Sequence, residues 1–104
     1  MKTYNKLIRD RIPELIERAG KTPHTRVLDE EEMEKALKEK LLEEVNEFIE
    51  SDQIEEIADI LEVIEAIAKL RGVHMALIAG MKEEKKEERG GFEKRLLLER
   101  VEDP

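Results

Sequence analysis

The sequence predicts an all-α fold: a helical bundle around a central antiparallel helix hairpin, assembled as an oligomer. Three observations carry this expectation. Apolar residues recur at helical spacing from Ile12 to Leu70. The residues carrying that pattern are aliphatic and stand among abundant Glu and Lys, all tolerant of helix, whereas aromatics make up only 3% of the chain. At 104 residues, a single chain buries only about two thirds of its unfolded surface, which leaves apolar faces for a second copy to cover.

Taken in order, Ile12, Leu15, Ile16 and Ala19 mark a first helix from about Arg11 to Ala19, with Pro13 tolerated in its first turn and Gly20 closing it. "KTPHTRVL" reads as an extended connection. Its residues 24–28, together with 94–101 near the end of the chain, are candidates for a small two-stranded accessory. Asp29 and Glu32 form a capping-box pattern before a second helix over about 30–50. "SDQ" breaks it, and Ser51 or Asp52 is expected to cap a third helix running over about 52–71 to Gly72. A fourth helix spans about 74–89 and stops at Gly90 and Gly91. No repeat or second domain is visible, so residues 1–104 read as one domain.

The net charge of −8 opposes binding to a nucleic acid polymer, while a local basic patch suffices for one small phosphorylated ligand. There is no cysteine, which excludes disulfides and thiolate metal sites and leaves cytoplasmic residence unopposed. No apolar run approaches the roughly 20 residues a membrane span requires. Neither His24 nor His74 has a partner at ligand spacing.

The unusual feature is "LLEEVNEFIESDQIEEIADILEVIE", residues 41–65, where carboxylates interrupt apolar faces. Advancing roughly 100° per residue from Leu41 places Glu44 and Glu47 on the edge of the apolar arc of the second helix and turns Glu43 to the opposite, solvated side. On the third helix, two apolar faces adjoin, one of Ile54, Ala58, Leu61, Ile64 and Ala68 and one of Ile60, Val63, Ile67 and Leu70. Glu56 falls inside the second of these faces and Asp59 at its margin. Four carboxylates converging from a hairpin are unfavourable without a cation, and an oxygen-only set selects Mg²⁺ or Mn²⁺ over Zn²⁺. The alternative is that these are solvated acids on an acidic protein.

The pattern Glu43-Glu44-x-x-Glu47 followed by Glu56-x-x-Asp59 resembles the EExxE and ExxD pair of the MazG-like all-α nucleoside triphosphate pyrophosphohydrolases. The flanks "YNKLIRDRIP" and "KKEERGGFEKRLLL" resemble a small single-domain branch of phosphoribosyl-ATP pyrophosphohydrolase-like, house-cleaning enzymes, so the likeness covers nearly the whole chain. It implies a helical homodimer or homotetramer that uses Mg²⁺ to hydrolyse a nucleotide between its α and β phosphates, releasing a nucleoside monophosphate and pyrophosphate. Carried over by position, Glu44, Glu47, Glu56 and Asp59 are the metal ligands, and Glu44 or Glu47 accepts the proton of the attacking water. Glu43 is left a supporting or solvated role, and Asp10 either orients Arg9 or caps the first helix. Lys6, Arg9, Lys86 and Arg89 are the candidates for gripping phosphates. Tyr4 and Phe92 either stack on a base or pack. The competing reading from another class is a non-catalytic helical module that only dimerises.

Overall fold

The structure, a computed structural model, describes residues 1–104 and is all-helical. It contains four helices, α1 (Ile12–Arg18), α2 (Glu30–Ser51), α3 (Glu55–Leu70) and α4 (Met75–Arg89). They fall in two compact units, Met1–Gly72 with α1 to α3 and Val73–Pro104 with α4. No helix is long and apolar enough to cross a membrane.

In the first unit, α1 begins without a side-chain cap and carries Pro13 in its first turn, where the missing N–H leaves no bond unmade. Glu14 accepts from Arg11 at 3.3 Å and from Arg18 at 2.7 Å. Gly20 at φ +80 reverses the chain after it. The start of α2 is the capping box expected from the sequence. The Glu32 N–H donates to Asp29 Oδ1 at 2.8 Å and the Asp29 N–H to Glu32 Oε1 at 3.2 Å, while Arg26 braces Glu32 at 2.7 Å.

The break between α2 and α3 differs from expectation. Ser51 is the last residue of α2, and Asp52 adopts the left-handed conformation at φ +58 that closes it, its N–H donating to the Phe48 carbonyl at 2.8 Å. Neither residue caps α3, which starts three residues later than expected, at Glu55, behind Ile54 and with no side-chain cap. Ser51 Oγ accepts instead from the Gln53 N–H at 3.2 Å. The chemistry that recommends Asp as an N-cap also makes it one of the few residues that tolerates a left-handed C-cap.

α2 and α3 pack on one another in opposite directions. Arg71, just past the end of α3, donates to Glu34 in the early turns of α2, and Glu44 further along α2 meets Glu56 and Asp59. The face of α3 turned to α2 is the second of the two apolar faces: Val63 is buried and Ile60, Ile67 and Leu70 are half-buried. The first face is open over its early part, where Ile54, Ala58 and Leu61 are exposed, while further along Ile64 is half-buried and Ala68 buried. The core is therefore thin, consisting of Leu37, Val63 and Ala68 together with the side chain of Glu44.

The two-stranded accessory expected over 24–28 and 94–101 is absent, since neither stretch is a strand. A lone strand pair is marginal in water, and Val27, Leu96, Leu97 and Leu98 are all exposed, so no apolar face is buried to offset the ordering. In the second unit, α4 follows His74 and ends at Gly90, whose N–H reaches the Lys86 carbonyl at 2.7 Å.

Candidate metal centre

The packing of α2 on α3 carries the acids with it. Glu44 lies on the buried side of α2 and is only 7% exposed, whereas Glu47, one turn on, is exposed. Glu56 and Asp59, one turn apart at the start of α3, are half-buried. One oxygen from each of Glu44, Glu56 and Asp59 lies within 4.8 Å of the other two, and the same holds for Glu43, Glu44 and Glu47. Glu44 belongs to both groups. Its Oε2 and the Oε2 of Glu56 are buried and have no hydrogen-bond partner. Such oxygens ordinarily find a donor, so the arrangement can hold a cation.

Cations of the chain itself ring these acids. Arg9 donates to Asp59 Oδ1 at 2.7 Å, and Lys6 stands 3.6 Å from Glu43 Oε1. Lys6 and Lys2 also lie 5.8 and 5.7 Å from the centre of the Tyr4 ring. Lys40 bridges two acids of its own helix, 3.3 Å from Glu44 Oε1 and 3.5 Å from Glu43 Oε1. Asp10 is exposed and does not cap α1, whose N-cap position is Arg11 without a side-chain bond. Lys86 and Arg89 occupy the last turn of α4 and are exposed. The concavity lined by Asp29, Glu30, Glu31, Glu34, Lys35 and Lys38 lies nearer the start of α2 and includes none of the four acids.

Comparison with known proteins leaves this geometry to stand alone. No family model and no solved structure matches the chain. A stretch of 46 residues, 44% of the chain, is 52% identical to a protein of Mycolicibacterium smegmatis (strain ATCC 700084 / mc(2)155) described as uncharacterized. That match spans 47% of the relative's own length.

Two features of the centre lie outside the helical projection. Glu43, expected to face solvent, is half-buried between Lys6 and Lys40. A projection treats α2 as isolated and cannot register the N-terminal segment that brings Lys6 to it. Lys40 itself went unnoticed, although its positions three and four residues before Glu43 and Glu44 are those at which helical side chains meet.

Burial pushes the Glu44 carboxyl above the ordinary range, with the charge of Glu47 adding to the shift and Lys40 opposing it. Burial likewise raises Glu56, helped by Asp59 and Glu44. A carboxyl raised on folding takes up its proton at higher pH than in the unfolded chain, so its ionisation destabilises the fold above the folded value and that loss is recovered on acidification. Glu32 has the opposite sign, since its bond to Arg26 and the Asp29 backbone hold it down at about 2. The stability that Glu32 contributes is present above the unfolded value and fades between about pH 4 and about pH 2. Denaturant unfolding of the metal-free protein is therefore expected to show a midpoint that rises as the pH is lowered from neutrality toward the ordinary carboxylate range, and that falls below about pH 4. A midpoint that only falls on acidification would remove the repulsion from the account.

Proposed function

We propose that the chain is a Mg²⁺-dependent nucleoside triphosphate pyrophosphohydrolase of the MazG-like all-α superfamily. The reaction gives a nucleoside monophosphate and pyrophosphate, in the manner of the small house-cleaning branch, in the cytoplasm. The observation that carries this reading is the buried, unpartnered Oε2 of Glu44 in an all-carboxylate group with Glu56 and Asp59. Lys40 meets only Oε1 of Glu44 and Arg9 only Oδ1 of Asp59, so Oε2 of Glu44 and Oε2 of Glu56 are left without a partner. A desolvated carboxylate costs several kcal/mol unless positive charge meets it, and an oxygen-only set fits a hard divalent ion.

Glu44, Glu47, Glu56 and Asp59 are the residues that would hold the ion. When bound, Mg²⁺, or Mn²⁺ in its place, neutralises triphosphate charge and acidifies the attacking water. Glu47, open to solvent, or Glu44 accepts the proton as the water oxygen bonds to the α-phosphorus and the bridging oxygen leaves with pyrophosphate. Lys6 and Arg9, drawn to the acids by Glu43 and Asp59, grip phosphate oxygens, Arg9 with two donors at once. The test is a panel of ordinary and damaged nucleotides with Mg²⁺. At least one is expected to release pyrophosphate, and Glu47→Gln should lower that rate by about a hundred-fold or more, the usual scale for a positioned proton acceptor. Silence across the panel would reject the enzyme.

Phosphoribosyl-ATP belongs in that panel, because the phosphoribosyl-ATP pyrophosphohydrolase of histidine biosynthesis performs the same bond cleavage. A reading of another class, a non-catalytic dimerisation module, is favoured by the open apolar face of α3, where Ile54 is 71% and Leu61 50% exposed. That face also supports a homodimer or homotetramer under the enzymatic reading. The module predicts that Mg²⁺ leaves stability unchanged, which separates the two.

A further inference from the structure

The two oxygens of Glu44 have different surroundings. Oε1 lies 3.3 Å from the ammonium of Lys40, and Oε2 is buried without a partner. Lys40 is no ordinary surface lysine, since its side chain is 17% exposed, against 45% for Lys6 and 57% for Arg9, and it faces a carboxylate that is itself almost closed to water. Exposed pairs at this helical spacing contribute only a few tenths of a kcal/mol because water screens them, and here that screening is largely removed. The terminal torsion of Glu is broad and roughly two-fold, so the carboxylate plane has no strong preference of its own. The same ammonium reaches Glu43 Oε1 at 3.5 Å, which fixes Lys40 from a second side.

We propose that Lys40 is the positioning residue of this centre, holding Glu44 by one oxygen so that the other is presented to the cation. The inference rests on the metal reading above and adds to it the residue that orients the most buried ligand. Metal sites commonly depend on such outer partners, whose loss weakens binding by about ten- to a hundred-fold. The sign is diagnostic. By charge alone, removing an ammonium next to a cation site should tighten binding, since a repulsion disappears. By orientation, its removal frees the Glu44 carboxylate to turn and weakens binding.

The experiment is a calorimetric titration of Mg²⁺, without nucleotide, into the wild type, Lys40→Met and Lys40→Arg, with far-UV circular dichroism to verify that each is helical. Met retains most of the apolar stem and removes the charge, whereas Arg restores donors for both carboxylates. Lys40→Met is expected to bind Mg²⁺ about ten-fold or more weakly, and Lys40→Arg to recover most of that loss. Mg²⁺ affinity in Lys40→Met equal to or tighter than that of the wild type overturns the inference while leaving the metal centre in place. A Lys40→Met loss that Arg does not recover also overturns it. A wild type that takes up no Mg²⁺ removes the metal reading, and this inference with it.

Discussion

Replacing Glu44 by Gln is expected to raise the thermal midpoint of the metal-free protein and, in the same variant, to abolish its response to Mg²⁺. The substitution keeps the shape of the side chain and deletes a charge that is 7% exposed and faces Glu47, Glu56 and Asp59. Lys40 is not stranded by the change, because Glu43 remains 3.5 Å away. Relief of buried like-charge repulsion on the order of 1 kcal/mol moves the midpoint of a domain this size by about 4–8 °C. A bound ion acts in the opposite sense, by mass action. At a concentration a hundred times its dissociation constant it stabilises the wild type by about 2.7 kcal/mol, and an amide in place of the carboxylate forfeits most of that gain. Scanning calorimetry with and without Mg²⁺ reads both effects. If Glu44→Gln lowers the metal-free midpoint, or if Mg²⁺ moves both proteins equally, the acids are not the centre proposed for them.

Leu37→Ala should be the most damaging single truncation in the first unit, at about 2–3 kcal/mol. Leu37 is 3% exposed and, with Val63 and Ala68, makes up the apolar core. The value sits at the lower end of the range for buried leucines because a core with so few closed positions can relax around the gap. Even so, it is a large part of the roughly 5–15 kcal/mol by which a domain is stable. Ile54→Ala, at a site 71% exposed, should change monomer stability by less than about 0.5 kcal/mol. Denaturant midpoints of the two variants, measured at low protein concentration, provide the comparison. Equal costs would mean that the buried positions of α2 and α3 are not those described.

What could be read ahead of the structure was whatever a few neighbouring residues decide. The capping box of Asp29 and Glu32 is complete within one turn, and so was placed correctly from the letters alone. The division of α3 into two apolar faces, with Glu56 inside one of them, is likewise a matter of spacing along one helix. Ser51 and Asp52 show where this fails, since Asp suits both the start of a helix and a left-handed end, and only the path of the chain chooses. Glu43 shows a second failure, because its surroundings depend on Lys6, which no helical wheel of α2 contains. The stretches 24–28 and 94–101 show a third: apolar, β-tolerant letters do not make a strand unless something else is buried by the pairing.

The fork of Arg71 on Glu34 also has a mechanical meaning. It ties α3 to α2 near the end remote from Asp52, so the two helices are fastened at one end by a short covalent turn and at the other by a guanidinium. Glu44 lies ten residues from Glu34, about 15 Å along the helix, and so sits in the span between the two fastenings. Repulsion among the acids therefore acts between two points at which the helices are joined, and not on a free tip. The acids are thus carried by the pairing of α2 with α3 itself, so that whatever joins these two helices also brings the carboxylates of Glu44, Glu56 and Asp59 within reach of one another.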